Sequence, residues 1–159
     1  MEETTQSLSQ RLEEEGQKTL DFYEKFPPGA WETQVYSEGS SWSARRILMH
    51  IVEVESSIPR LVASILDGGS GVSEDFDIDR YNESKVAKMG EPTPKELLDE
   101  FKKRRAHTVE MIRAMNDDQL AIEGRHPFLG VTQIVEMLRL MYVHIQIHQR
   151  DTRRALNEA

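Results

Sequence analysis

Apolar residues recur at helical spacing in four long stretches of this 159-residue chain, and no stretch alternates with the period of two that a half-buried strand requires. That pattern predicts an all-α fold. The first stretch runs from about Thr5 to Phe26, with Leu8, Leu12, Thr19, Phe22, Tyr23 and Phe26 on one face. Gly16 weakens its middle, and Pro27-Pro28-Gly29 ends it. The second starts at Ser43, a good N-cap, with Trp42 and Ile47 at the spacing of a hydrophobic staple. Ala44, Ile47, Ile51, Val54, Ile58 and Val62 carry its stripe; Pro59 is expected to free the carbonyl of Glu55 and kink the helix. The third opens on Thr93-Pro94-Lys95-Glu96, which combines a Thr cap, Pro at the first helical position and Glu three residues after the cap. Asn116-Asp117-Asp118 closes it, with Leu120 anchoring the turn. The fourth is expected from about Gly130 to Leu156, with Ile134, Leu138, Met141 and Ile145 as its core line.

Between the second and third stretches lies a connection from roughly Asp67 to Pro92, in which Asn82 to Met89 adds a helical turn. A connection of that length inside a compact domain is usually functional or mobile. Four helices with one long central crossover predict a single domain, residues 1–159, built as an up-down-down-up four-helix bundle. The fourth helix carries a second apolar line, Leu140, Val143 and Ile147, nearly opposite the first. Either the crossover or a second copy of the chain must cover it.

Composition narrows the function classes. Charged residues make up 30% and apolar residues 38%, as in a soluble globular protein. The formal net charge of −8 argues against a nucleic-acid backbone or an anionic membrane as main partner, since both recruit basic surfaces. The chain has no cysteine, so it has neither a thiolate ligand nor a thiol nucleophile of its own. An acidic N-terminus without an apolar h-region leads to the expectation of a cytoplasmic protein.

Three histidines carry the chemical signal. His144 and His148 stand four apart and project from one face of the fourth helix. His50 lies at the edge of the apolar stripe of the second helix. Three imidazoles at the rim of a core can hold a divalent metal with open positions, or can be packed as satisfied core residues. Glu53, one turn past His50, and Asp151, three residues past His148, are placed to orient an imidazole N–H, or are ordinary surface carboxylates. His107 sits in the basic run Lys102, Lys103, Arg104 and Arg105, read as a solvated face; His126, ahead of Pro127, is read as structural, and Trp31 and Trp42 as packing residues.

Three segments carry a resemblance. Trp42-Ser43-Ala44-Arg45-Arg46-Ile47-Leu48-Met49-His50, Phe76-Asp77-Ile78-Asp79-Arg80-Tyr81-Asn82 and Tyr142-Val143-His144-Ile145-Gln146-Ile147-His148-Gln149-Arg150 resemble the DinB-like (YfiT-like) superfamily of four-helix metalloproteins. Its members include bacillithiol and mycothiol S-transferases and the mycothiol-dependent maleylpyruvate isomerase. The resemblance extends over nearly the whole chain. It implies a divalent metal, zinc or nickel, on His50, His144 and His148, and thiol S-transferase chemistry between a low-molecular-weight thiol and an electrophilic substrate. Metal-dependent hydrolysis and a non-enzymatic metal-binding stress module are the alternatives. Tyr81, Asn82 and Arg150 are expected substrate contacts, and the resemblance, to a superfamily whose members often form homodimers, implies a homodimer. The all-histidine triad, where some relatives place a carboxylate, and Pro59 depart from the family pattern.

Overall fold

A computed structural model describes residues 2–39 and 41–158. Its helices are α1 (Thr5–Glu24), α2 (Ala44–Leu66), α3 (Ile78–Lys88), α4 (Pro94–Arg113) and α5 (Ile134–Glu158), with a hairpin of β1 (Glu123–His126) and β2 (Gly130–Gln133) leading into α5. Side-chain caps start the first four: Thr4 accepts from the Ser7 amide, Ser43 from Arg46, Asp77 from Arg80 and Thr93 from Glu96.

α1, α4, α2 and α5 stand in a ring in that order, each packed on the next. Cross-links fix their directions. Arg113 meets Glu13, and the Thr5 amide meets Asp117, so α1 and α4 are antiparallel. Arg45 reaches the Pro92 carbonyl and Arg105 reaches Glu55, so α4 and α2 run together. Arg139 meets Glu3 and Gln146 meets Glu15, which sets α5 parallel to α1. The result is the up-down-down-up bundle, with α3 lying in the crossover against α2.

The core follows the four stripes. Leu8, Leu12, Ile47, Leu48, Phe101 and Leu138 are all fully buried. Each such side chain contributes roughly 1.5–3 kcal/mol from burial alone. α2 runs unbroken through Pro59, whose own side is buried.

Several residues differ from the sequence expectation. Arg105 does not belong to a solvated basic face. It is 4% exposed and forms a two-bond fork with Glu55, at 2.7 and 2.9 Å, while Nη1 donates to the Leu12 carbonyl at 2.8 Å. The stripe at Phe101, Arg105, Thr108 and Ile112 turns the guanidinium inward, where the fork, held in three helices, satisfies it. Gly16 is the matching device: a Cβ there would lie 2.9 Å from Arg105 Cγ.

The hairpin is the second difference. Strands of four residues are too short to show a period, and Gly130, at φ +76°, turns the chain where a helix start was expected. The hairpin docks tightly: a Cβ on Gly124 would meet Ile65 at 2.4 Å, and Gly71, at φ +97°, bridges Arg125.

Candidate metal centre

Each histidine is delivered by a helix whose local sequence sets its direction. His50 lies two turns into α2, after the Ser43 cap, and its ring packs 5.0 Å from that of Trp42. His144 and His148 share one face of α5. Their ring nitrogens converge: His50 Nε2 lies 3.1 Å from His144 Nε2, and His148 Nε2 lies 2.8 Å from it. The three donor atoms all fall within 4.8 Å of one another.

Burial keeps these rings neutral. It lowers the pKa of His50 to about 3, with the neighbouring His148 adding to the shift. It lowers that of His148 to about 4, against a small opposing pull from Asp151. His144 is held well below the ordinary histidine range, first by burial and then by His148, His50 and His126. Neutral imidazoles present lone pairs, the form a metal requires.

The tautomer of His148 follows from its neighbours. Tyr36 Oη donates to Asp151 Oδ2 at 2.6 Å and lies 2.8 Å from His148 Nδ1. Burial, and then the bond to Asp151, raises the phenol pKa, so its single proton stays on Oη and goes to the carboxylate. Burial opposes the charge on Asp151, but hydrogen bonds from Tyr36 and Arg150 still leave its pKa lowered. His148 Nδ1 must therefore be the donor to Tyr36, which leaves the Nε2 lone pair facing the other two rings.

The donor set fits a divalent cation. His144 Nε2 faces two other ring nitrogens and can offer at most one proton, so hydrogen bonds cannot satisfy all three. Nitrogens at roughly 2.0–2.1 Å from zinc are about 3.3–3.4 Å apart in a tetrahedron, and about 2.9 Å apart at right angles around a metal with more ligands. The observed separations of 2.8 and 3.1 Å lie beside these values.

The triad opens into a cavity of about 470 Å³. Its walls are largely apolar and come from Trp42 just before α2, α2 itself (Ile58), the crossover (Phe76), the hairpin tip (Phe128) and α5 (Leu140, Ile147). Two members of the second apolar line of α5 thus face the cavity opposite the crossover, while Val143 is 38% exposed outside it.

The other expected site residues are distributed unevenly. Tyr81 and Asn82 line the cavity. Glu53 is buried on the His50 side of α2, but it accepts from Tyr81 Oη at 3.1 Å and Ser57 Oγ at 3.3 Å, so it orients a cavity tyrosine rather than an imidazole. His50 Nδ1 has no hydrogen-bond partner among the described residues. Asp151 reaches His148 through Tyr36 and not directly. Arg150 is exposed, bonds Asp151 Oδ1 at 3.2 Å and does not line the cavity. Two residues past His148, its side chain points roughly 200° around the helix. His107 is exposed, and no helix among the described residues is long and apolar enough to cross a membrane.

The sequence carries no local signal for Tyr36, which lies 112 positions from His148 in an irregular segment without a period. His126 was legible only as a structural residue; it lines the cavity.

Solved structures share this architecture. YfiT from Bacillus subtilis, described as a probable metal-dependent hydrolase with an unusual four-helix bundle topology, superposes with a TM-score of 0.77 at 17% identity, covering 97% of this chain and 86% of that one. A protein from Escherichia coli UTI89 matches at 0.72 and 15% identity, over 99% of this chain and 96% of that one. The colibactin self-resistance protein ClbS, solved in complex with a dsDNA, matches at 0.70 and 12% identity, over 99% and 96%. At these identities the likeness is one of fold. Among curated proteins, no sequence match was found. A family model for the DinB superfamily matches residues 11–151, a span that contains all three histidines, Tyr36 and the crossover, and the chain belongs to that superfamily.

Proposed function

We propose that this protein is a metal-dependent enzyme acting on a small, largely apolar electrophile, with a low-molecular-weight thiol as co-substrate. The observation that carries the reading is the convergence of three imidazole Nε2 atoms at the wall of an apolar cavity. A divalent metal held there by His50, His144 and His148 would favour the thiolate of a bound thiol. The chain's own residues do the rest. Asp151 and Tyr36 hold His148 in the tautomer that keeps its lone pair on Nε2. Glu53 orients Tyr81, and Asn82 adds a polar contact on the same wall. The largely apolar lining suits the apolar body of the electrophile. With no cysteine in the chain, the thiol must come from outside.

A second reading is hydrolysis on the same centre, favoured by the description of YfiT as a probable metal-dependent hydrolase. The net charge of −8 favours a small molecule over nucleic acid for this chain. The ClbS complex with dsDNA shows that the fold by itself does not exclude a nucleic-acid partner.

Incubation with zinc or nickel, a thiol such as cysteine, glutathione or coenzyme A, and monochlorobimane tests the first reading. Metal-dependent thioether formation, abolished by a chelator and by His148→Ala, is expected. Metal-dependent cleavage of p-nitrophenyl esters without any thiol requirement would favour hydrolysis. A protein that binds metal and does neither fits the non-enzymatic module.

A further inference from the structure

His126 does something beyond bracing a turn. It closes β1, is 5% exposed and lines the same cavity as the triad. Its Nδ1 lies 3.0 Å from the Phe128 amide and 3.1 Å from the Leu129 amide. Both amides are donors, so Nδ1 is unprotonated and the ring proton must sit on Nε2. No described residue accepts a hydrogen bond from that nitrogen, and the nitrogen is not sealed from solvent, so its N–H is open to a ligand in the cavity.

We infer that His126 is a binding residue of the cavity, a fixed neutral Nε2–H donor that selects ligands carrying an acceptor oxygen, such as a carbonyl, on an otherwise apolar body. The inference rests on the cavity being the substrate site. The hairpin explains why the donor is rigid. Pro127 restricts the turn, Gly130 at φ +76° closes it, and two amides clamp the ring from behind. The apolar walls supply affinity without direction, and a donor of fixed position supplies orientation relative to the triad.

Two measurements test it on the intact protein at neutral pH. The first is a long-range nitrogen–proton NMR spectrum of histidine-labelled protein, titrated with acetophenone and, separately, with isopropenylbenzene. These ligands differ only in C=O against C=CH₂. The expected spectrum has the His126 proton on Nε2, and acetophenone shifts that nitrogen more than the hydrocarbon does. The second compares His126→Asn, whose Oδ1 can still accept the turn amides but which has no atom at the Nε2 position. Wild type should prefer acetophenone by roughly tenfold, and His126→Asn should lose that preference. Should the variant fail to fold, the wild-type spectra still decide. A proton on Nδ1, no preference in wild type, or an undiminished preference in His126→Asn overturns the assignment while leaving the cavity reading intact. Failure of both ligands to perturb any cavity residue overturns the assignment and the cavity reading together.

Discussion

Lowering the pH from 8 to 5 perturbs the buried histidines selectively. His50, His126 and His148 have folded-state pKa values of about 3, 4 and 4, all lowered primarily by burial. In the unfolded chain each titrates near 6.5. Below that value the unfolded state binds protons that the folded state refuses, so stability falls as pH falls, until the folded rings protonate near pH 4 to 3. At pH 5 each ring costs about 2 kcal/mol relative to pH 8, or roughly 6 kcal/mol for the three. That is a large share of the roughly 5–15 kcal/mol expected for a domain of this kind. His144, lowered in the same direction, adds to the loss. The two partly buried carboxylates with lowered pKa, Glu15 and Asp151, lose their contribution only further down, below the ordinary carboxylate range, so they do not confuse the window. The assay is urea denaturation of chelator-treated protein, followed by circular dichroism at pH 8, 7, 6 and 5. A falling midpoint with an unchanged slope is expected. A change under about 1 kcal/mol between pH 8 and 5 would refute the reasoning, because three rings neutral in the fold cannot leave stability flat over that range.

Four further outcomes follow from the same geometry. His148→Ala should remove most bound zinc or nickel by elemental analysis, while His107→Ala, in the exposed part of the basic run, should bind as wild type does. Tyr36→Phe cuts the link between Asp151 and His148 and should weaken zinc affinity about 10–100-fold in a competition titration, with little change in the urea midpoint. Glu55→Gln breaks the buried fork to Arg105 and should cost about 3–5 kcal/mol in urea denaturation, whereas the exposed pair of Lys95 and Asp99 should be worth under about 1 kcal/mol by the same measurement. Light scattering at micromolar concentration should give twice the 18.4 kDa chain mass if Val143 and its neighbours form a dimer face, and a single chain mass if the cavity and crossover account for the second apolar line.

The three converging histidines were legible because helices encode direction locally. Four residues is close to one turn, so His144 and His148 share a face whatever packs against it, and the position of His50 on its stripe already aimed it at the core rim. The caps at Ser43 and Thr93 and the four stripes likewise depend only on near neighbours, and the helix starts after them followed. What only the tertiary structure decided involves partners far apart along the chain. Tyr36 meets His148 across 112 positions, and Arg105 meets Glu55 across 50, so a residue that reads as surface charge becomes a buried tie among three helices. The hairpin before α5 is too short for periodicity, and its place follows from Gly124 against Ile65 and Gly71 against Arg125. Glu53 shows the limit of spacing: one turn from His50 put it on the right side of α2, but the crossover delivered Tyr81 to it first. Periodicity records which way a side chain faces, and the approach of distant segments settles what it meets there.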